Sequence, residues 1–258
     1  MGIDLKDKKI PKEAIRARET IEELLDGILV GIYLYGSAVM GGLRGQSDVD
    51  ILAVIHQNLS EGIRRKLTQG LMMISGEMGN TNAVRPLEVT IINQKNVVPW
   101  HFPPRYEFLY GEWLRKRLEN GDIPQPTIDP DLAILLAQAR ENSISLTGPE
   151  LSDILEPIPM ADIEKAIRES LPALIEDTKG DERNIILTLA RMWFTMANGE
   201  IVSKDMAAEW AIPRLPEEYA VLLDWAKRAY LGEWVDHWEG MECKVAELAH
   251  YMKRLILS

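Results

Sequence analysis

Residues 34–55 read LYGSAVMGGLRGQSDVDILAVI, a stretch in which a strand, a glycine-rich bend and a second strand follow one another. The run Ile28 to Tyr35 is rich in Ile, Val, Leu and Tyr, and Asp48 to Ile55 has the same character, so both are expected as strands. Gly36-Ser37 comes directly after the first of them. A glycine at that point lets the backbone approach a ligand closely, and free amides with a hydroxyl hold phosphate oxygens. Ten residues then separate Ser37 from Asp48-Val49-Asp50, which opens the next strand. Strand alternation puts the two carboxylates on one face and Val49 on the other. Two like charges side by side are costly unless a cation neutralises them. Magnesium meets that need, since it takes one or two carboxylates together with substrate phosphates. An isolated Asp-x-Asp is otherwise a solvated strand edge or turn. Here the phosphate turn, the bend and the aspartate pair are connected, which favours a metal clamp.

Outward from this stretch, Ala14, Ile15, Ile21, Leu24 and Leu25 fall at helical spacing, so Pro11 to Leu25 is expected as a helix. Leu59 to Met78 has the same spacing, and Leu87 to Ile92 (LEVTII) alternates as a third strand. Glu88 lies within that strand, where a glutamate is expensive to bury unpaired. It either points to solvent on a polar face with Thr90 or, if the third strand lies beside the second, reaches the same metals and accepts a proton as general base. Pro99, Pro103 and Pro104 make the following stretch irregular, and a helix is expected over Tyr106 to Leu118.

Beyond Asp129 the segments are helical, with almost no strand-like runs. The helices expected are Asp131 to Asn142, Met160 to Ile175, Asp181 to Ala197, Ser203 to Trp210, Glu217 to Tyr230 and Trp238 to Ile256. Thr147 to Pro159, with its prolines, is the linker candidate. The expected architecture is an α/β domain over residues 1–150 followed by an all-α domain over residues 151–258, with the site in the cleft between them.

Composition agrees with an ordinary globular protein: 46% of the 258 residues are hydrophobic and 27% charged. The first residues, MGIDLKDKKI, have no apolar signal-peptide core, and no run approaches the ~18 apolar residues of a spanning helix. A cytoplasmic protein without membrane contact is therefore expected. The single cysteine, Cys243, rules out an internal disulfide and a cysteine metal cluster, and is expected as a small buried or half-buried apolar residue. A net charge of −11 works against binding a long phosphate backbone and favours a small cationic substrate over nucleic acid.

The pattern GS-x10-DVD with a later strand carboxylate resembles the nucleotidyltransferase superfamily that includes the DNA polymerase β-like enzymes. PLEVTII, VVPWHFPP, YGEWLR, GDERNIILTLARMW, SKDMAAEW and AYLG extend the likeness to the aminoglycoside and aminocyclitol adenylyltransferases, most closely the spectinomycin 9-adenylyltransferases. The resemblance implies a DNA polymerase β-like nucleotidyltransferase domain followed by a helical-bundle domain. It implies an antibiotic-resistance enzyme that moves AMP from ATP to the 9-hydroxyl of spectinomycin and releases pyrophosphate, with ATP as co-substrate and two magnesium ions. It assigns Asp48, Asp50 and Glu88 to metal, Glu88 also as base, and Gly36, Ser37 and Ser47 to the triphosphate. In the helical domain Arg191, Lys204 and Tyr230 match positions that contact ATP, the two cations neutralising phosphate from across the cleft. By themselves Arg191 and Lys204 read as solvated helix charge.

The same likeness places Glu88, Trp113, Asp181 and Asn184 near the antibiotic, although a tryptophan taken alone reads as core. The likeness implies that the dual-specificity streptomycin and spectinomycin enzymes use the tryptophan matched by Trp113 together with an aspartate at the position of Asp177, whereas Asn184 replaces their histidine. A monomer is expected. The competing readings are a dual-specificity enzyme, an adenylyltransferase of protein or RNA, and a non-catalytic nucleotide-binding, toxin-neutralising module. A non-catalytic module has no need of Asp48, Asp50 and Glu88 together.

Overall fold

The computed structural model describes residues 10–45, 47–77, 84–176 and 180–258. They divide into two units, the first ending at Ile158 and the second beginning at Pro159.

The first unit opens with α1 (Lys12–Leu24), which buries Ala14, Ala17 and Ile21 along one stripe. β1 (Leu29–Tyr35) and β2 (Val49–Ile55) follow, then α2 (Glu61–Ile74). The hydroxyl of Ser60 caps α2 by accepting the Ile63 N–H at 3.3 Å. β3 (Leu87–Asn93), β4 (Arg105–Tyr106), β5 (Phe108–Gly111) and α3 (Arg115–Glu119) come next. The unit closes with β6 (Thr127–Ile128), α4 (Asp131–Glu141), β7 (Ile144–Thr147) and α5 (Leu151–Ile154).

Five strands form a mixed sheet in the order β5-β3-β2-β1-β7. β2 and β3 run parallel, and the other neighbouring pairs are antiparallel. Alternation divides the sheet's side chains between two cores. Ile32, Leu34, Val49, Ile51, Leu87 and Val89 join Ala14, Ile21, Leu67 and Leu71 of α1 and α2. On the opposite face Tyr33, Leu52, Val54 and Ile92 pack with Leu132 and Leu136 of α4 and with Leu151 and Leu155. Tyr33 carries its polar end into that second core and donates its hydroxyl to the Pro149 carbonyl at 3.0 Å. Burial, and then the charges of Glu150 and Asp153, push this phenol up to about 12.

The three central strands and the helices flanking them lie where the sequence places them. The stretch Tyr106 to Leu118 does not form one helix. It holds the end of β4, all of β5, a 3-10 turn over Glu112–Leu114 and part of α3. β7 is likewise a strand in the region expected to be helical, paired with β1. The segment Thr147 to Pro159 carries α5, and Leu151 and Leu155 are core residues of the first unit. Cys243 is exposed, where a buried or half-buried position was expected.

The second unit contains α6 (Met160–Glu176), α7 (Glu182–Asn198), α8 (Lys204–Ala211), α9 (Glu217–Leu231) and α10 (Glu242–Leu257). α7 packs against each of the other four. Its buried residues Ile185, Ile186, Leu187, Leu189 and Ala190 point round much of the helix, as a central helix requires. Among the described residues no helix is long and apolar enough to cross a membrane.

Candidate active site

The glycine-rich bend begins at the end of β1, where Gly36 opens a 3-10 turn, Gly36–Ala38. Its φ of +67° belongs to the left-handed region that favours glycine. The Gly36 carbonyl accepts the N–H groups of Val39 at 3.1 Å and Met40 at 2.9 Å, which turns the chain away from the sheet. Tyr35 pairs with Asp50 across β1 and β2. A side chain on Gly36 would overlap the Asp50 carboxyl at Cγ and Oδ2. The phosphate turn and the metal-binding aspartate expected from sequence are thus adjacent, and the glycine is what permits it. Ser37 lies within the turn, partly exposed.

At the other end of the bend, Ser47 accepts the Arg44 N–H through its hydroxyl at 3.0 Å and donates its own N–H to the Arg44 carbonyl at 3.2 Å. Arg85 holds this corner from β3's side, donating through Nη1 to the carbonyls of Arg44 at 2.5 Å and Ser47 at 3.1 Å. Its own N–H reaches the buried Glu13 at 3.1 Å. Arg85 escaped the sequence reading because its partners are dozens of residues distant and no local pattern marks it.

Asp48 precedes β2, Val49 is buried, and Asp48, Asp50 and Glu88 are all partly exposed. Parallel pairing sets Asp50 beside Glu88, and antiparallel pairing sets Glu88 beside Gly111. One row therefore crosses four strands as Tyr35, Asp50, Glu88 and Gly111. Side chains at opposed positions share a face, with neighbouring strands about 4.8 Å apart. The condition for Glu88 to join the aspartates is met. Thr90, two residues on, is buried at 1% exposure, so this face is not a polar, solvent-facing one.

The donor set consists of hard carboxylate oxygens, which suits magnesium. No three His, Cys, Asp or Glu side chains among the described residues are gathered as a ready-made cage. Magnesium does not require one: it is ordinarily held by one or two carboxylates, with phosphates and water completing the shell. Asp48 and Asp50 fit that pattern, with Glu88 beside Asp50 in the row.

Past the end of the row, Trp113 sits in the 3-10 turn after β5 and is 52% exposed, against the core position a lone tryptophan predicts. The buried Glu112 next to it accepts Tyr110 Oη–H at 2.5 Å and Arg115 Nη2–H at 2.8 Å on Oε1, and Arg115 Nε–H at 2.6 Å on Oε2. Burial would raise this carboxyl, but hydrogen bonds from Arg115, Ser75 and Tyr110 outweigh it and hold it below its ordinary value. Tyr110 is pushed well above the usual phenol range by burial and by Glu112. These residues belong to YGEWLR, but the pairing that gives them meaning is made by the fold.

In the helical unit, Asp181 stands at the N-terminus of α7 and accepts the side-chain amide of Asn184 at 2.8 Å. The Asn184 carbonyl in turn accepts Lys204 Nζ–H at 3.3 Å. A residue expected at ATP and two expected at the antibiotic are therefore joined in one chain. Arg191 lies in the middle of α7, and Tyr230 lies at the end of α9; both are partly exposed. Asp181 also lines an open concavity of about 300 Å³ with Glu182, Arg183 and Asp236. Arg183 pairs with Asp236 at 2.8 Å, and Trp238 donates its Nε1–H to the same carboxylate at 2.7 Å. Asp177 lies outside the described residues.

Residues 153–254 match the family model of the aminoglycoside adenylyltransferase C-terminal domain. A spectinomycin 9-adenylyltransferase of Staphylococcus aureus is 59% identical over 248 residues, which cover 96% of this chain and 95% of that protein. Another, from Campylobacter jejuni, is 51% identical over 96% of each chain. Among solved structures, that of the spectinomycin adenyltransferase AAD(9) from Enterococcus faecialis with ATP and spectinomycin matches with a TM-score of 0.92 at 35% identity. The match covers 96% of this chain and 99% of that one.

Proposed function

The chain belongs to the aminoglycoside adenylyltransferase family, and from that premise we propose that it transfers AMP from ATP to the 9-hydroxyl of spectinomycin. The row that sets Asp50 beside Glu88, next to the turn at Gly36, is the observation that carries the reading. We assign the first unit to the DNA polymerase β-like nucleotidyltransferase fold and the second to a helical bundle that contacts ATP and antibiotic.

Asp48 and Asp50 hold magnesium, with Glu88 as the neighbouring third carboxylate. When bound, the metal offsets negative charge on the transferring phosphate. The backbone at Gly36 and the hydroxyls of Ser37 and Ser47 position phosphate oxygens, and Arg191, Lys204 and Tyr230 are assigned to ATP. Glu88 orients the 9-hydroxyl and takes its proton. The hydroxyl oxygen then forms a bond to the α-phosphorus in line as the bond from that phosphorus to the bridging oxygen breaks, and pyrophosphate leaves. The antibiotic's ammonium groups are met by carboxylates, Asp181 and Glu88, as charge leaving water requires.

The test is product analysis after incubation with ATP and magnesium, with spectinomycin, a protein mixture and RNA offered separately. AMP-spectinomycin and stoichiometric pyrophosphate are expected. Release of pyrophosphate only with protein or RNA would sink the antibiotic reading.

A further inference from the structure

We propose that Gly111 is the specificity-determining position that seats the Trp113 indole beside the catalytic row, and that the Glu112–Arg115 pair fixes the ring there. The proposal deepens the antibiotic reading and rests on the assignment of Trp113 to the antibiotic. Gly111 ends β5 with φ −156° and ψ 151°, an extended conformation open to any residue. Backbone freedom is thus not why a glycine stands here, and a strand interior is weakened by one.

The neighbour supplies the reason. A Cβ on Gly111 would overlap the six-membered ring of Trp113 at Cη2, Cζ3 and Cε3. These are atoms of a rigid bicyclic ring, which cannot yield as the end of a flexible side chain does. The indole occupies the space of the missing side chain. Because Gly111 opposes Glu88 across the strand pair, that space is on the face that carries Glu88 and Asp50. Tyr110 points the other way, into the core under α1 and α2.

A ring that is 52% exposed is not held by burial, so its position must be set by the turn that carries it. Both oxygens of Glu112 are committed, to Tyr110 and twice to Arg115. Arg115 Nη2 also donates to the carbonyls of Met72 and Ser75, each at 3.3 Å. Glu112 and Arg115, which bracket Trp113 in sequence, are therefore tied through Arg115 to the end of α2. An exposed aromatic face held rigid beside a row of carboxylates suits a compact, cationic fused-ring ligand: the ring supplies a flat wall and the carboxylates meet the charge.

Kinetics of Gly111→Ala, Trp113→Ala and the double variant, with spectinomycin and ATP varied separately, test the seat. Gly111→Ala is expected to raise the KM for spectinomycin about tenfold and to change that for ATP by less than about twofold. In the Trp113→Ala background the added methyl should change the spectinomycin KM by less than about twofold, since the ring it displaces is gone. Equal losses in both backgrounds, or no loss with Trp113 present, would overturn the proposal. Should Gly111→Ala alone fail to fold, the double variant must fold; its failure also overturns the proposal. A second readout needs no antibiotic. In protein labelled with 5-fluorotryptophan, the Trp113 fluorine resonance, assigned by its loss in Trp113→Phe, should move in Gly111→Ala more than those of the other six tryptophans. An unmoved resonance overturns the seat. A moved resonance in an enzyme that leaves spectinomycin untouched would instead show that the substrate reading had failed.

Discussion

Asp50 is only partly buried, and its carboxyl fills the space left by the absent side chain of Gly36. Asp48→Ala or Asp50→Ala should abolish AMP transfer while the protein still folds, which a cooperative thermal transition checks. Substantial turnover by either variant would remove the metal clamp from the mechanism. Glu88 separates chemistry from shape in a different way. Glu88→Gln keeps size and hydrogen-bonding capacity but takes no proton, so kcat should fall by on the order of 100-fold while ATP binding, followed by calorimetry, persists. A kcat within a few-fold of wild type would assign the base to another group.

Among the elements, β1, β2 and β3 were legible because each is a short run of apolar and β-branched residues with a clear break on either side. β5 was not. Phe108, Leu109, Tyr110, Leu114 and Leu118 can be laid on a helical spacing, and only pairing with β3 makes Phe108–Gly111 a strand. β7 hid for a related reason: its four residues ISLT are half-buried on both faces, and a strand so short is defined by its partner β1. The turn after β5 supplies a prediction at this scale. Glu112 has a lower pKa folded than unfolded, so its pairing stabilises the fold above the ordinary carboxylate range and is lost as pH falls through the folded value. Glu112→Gln should cost about 2–4 kcal/mol at neutral pH, since it breaks a buried pair and leaves Arg115 partly uncompensated. Thermal unfolding of both proteins across pH should show the gap closing as the pH falls below the ordinary carboxylate range. A gap that stays constant on acidification would mean that packing, not charge, holds the turn.

For the whole molecule, the carboxylates proposed for catalysis stand out in the sequence because a local motif carries two of them and a strand period the third. Gly111 and Arg85 do not, since each depends on a neighbour brought in by the sheet. The net charge of −11 favours cations in general and does not choose among them. We propose that this choice falls to Glu88, Trp113, Asp181 and Asn184. Spectinomycin is compact, and two carboxylates with one flat wall can satisfy it. Streptomycin is longer and carries guanidinium groups, each of which needs further anionic or accepting partners once it leaves water. Asn184 is neutral, and both ends of its amide are already engaged, by Asp181 and by Lys204. It therefore offers a longer dication little without breaking that chain. Imperfect pairing of desolvated charge costs several kcal/mol, and each 1.4 kcal/mol is about tenfold in affinity or rate constant. We expect kcat/KM for streptomycin to lie at least about 100-fold below that for spectinomycin. Side-by-side rates of wild type and Asp177→Ala on both drugs decide the matter. Comparable wild-type rates, with the streptomycin activity lost on removing Asp177, would make this a dual-specificity enzyme.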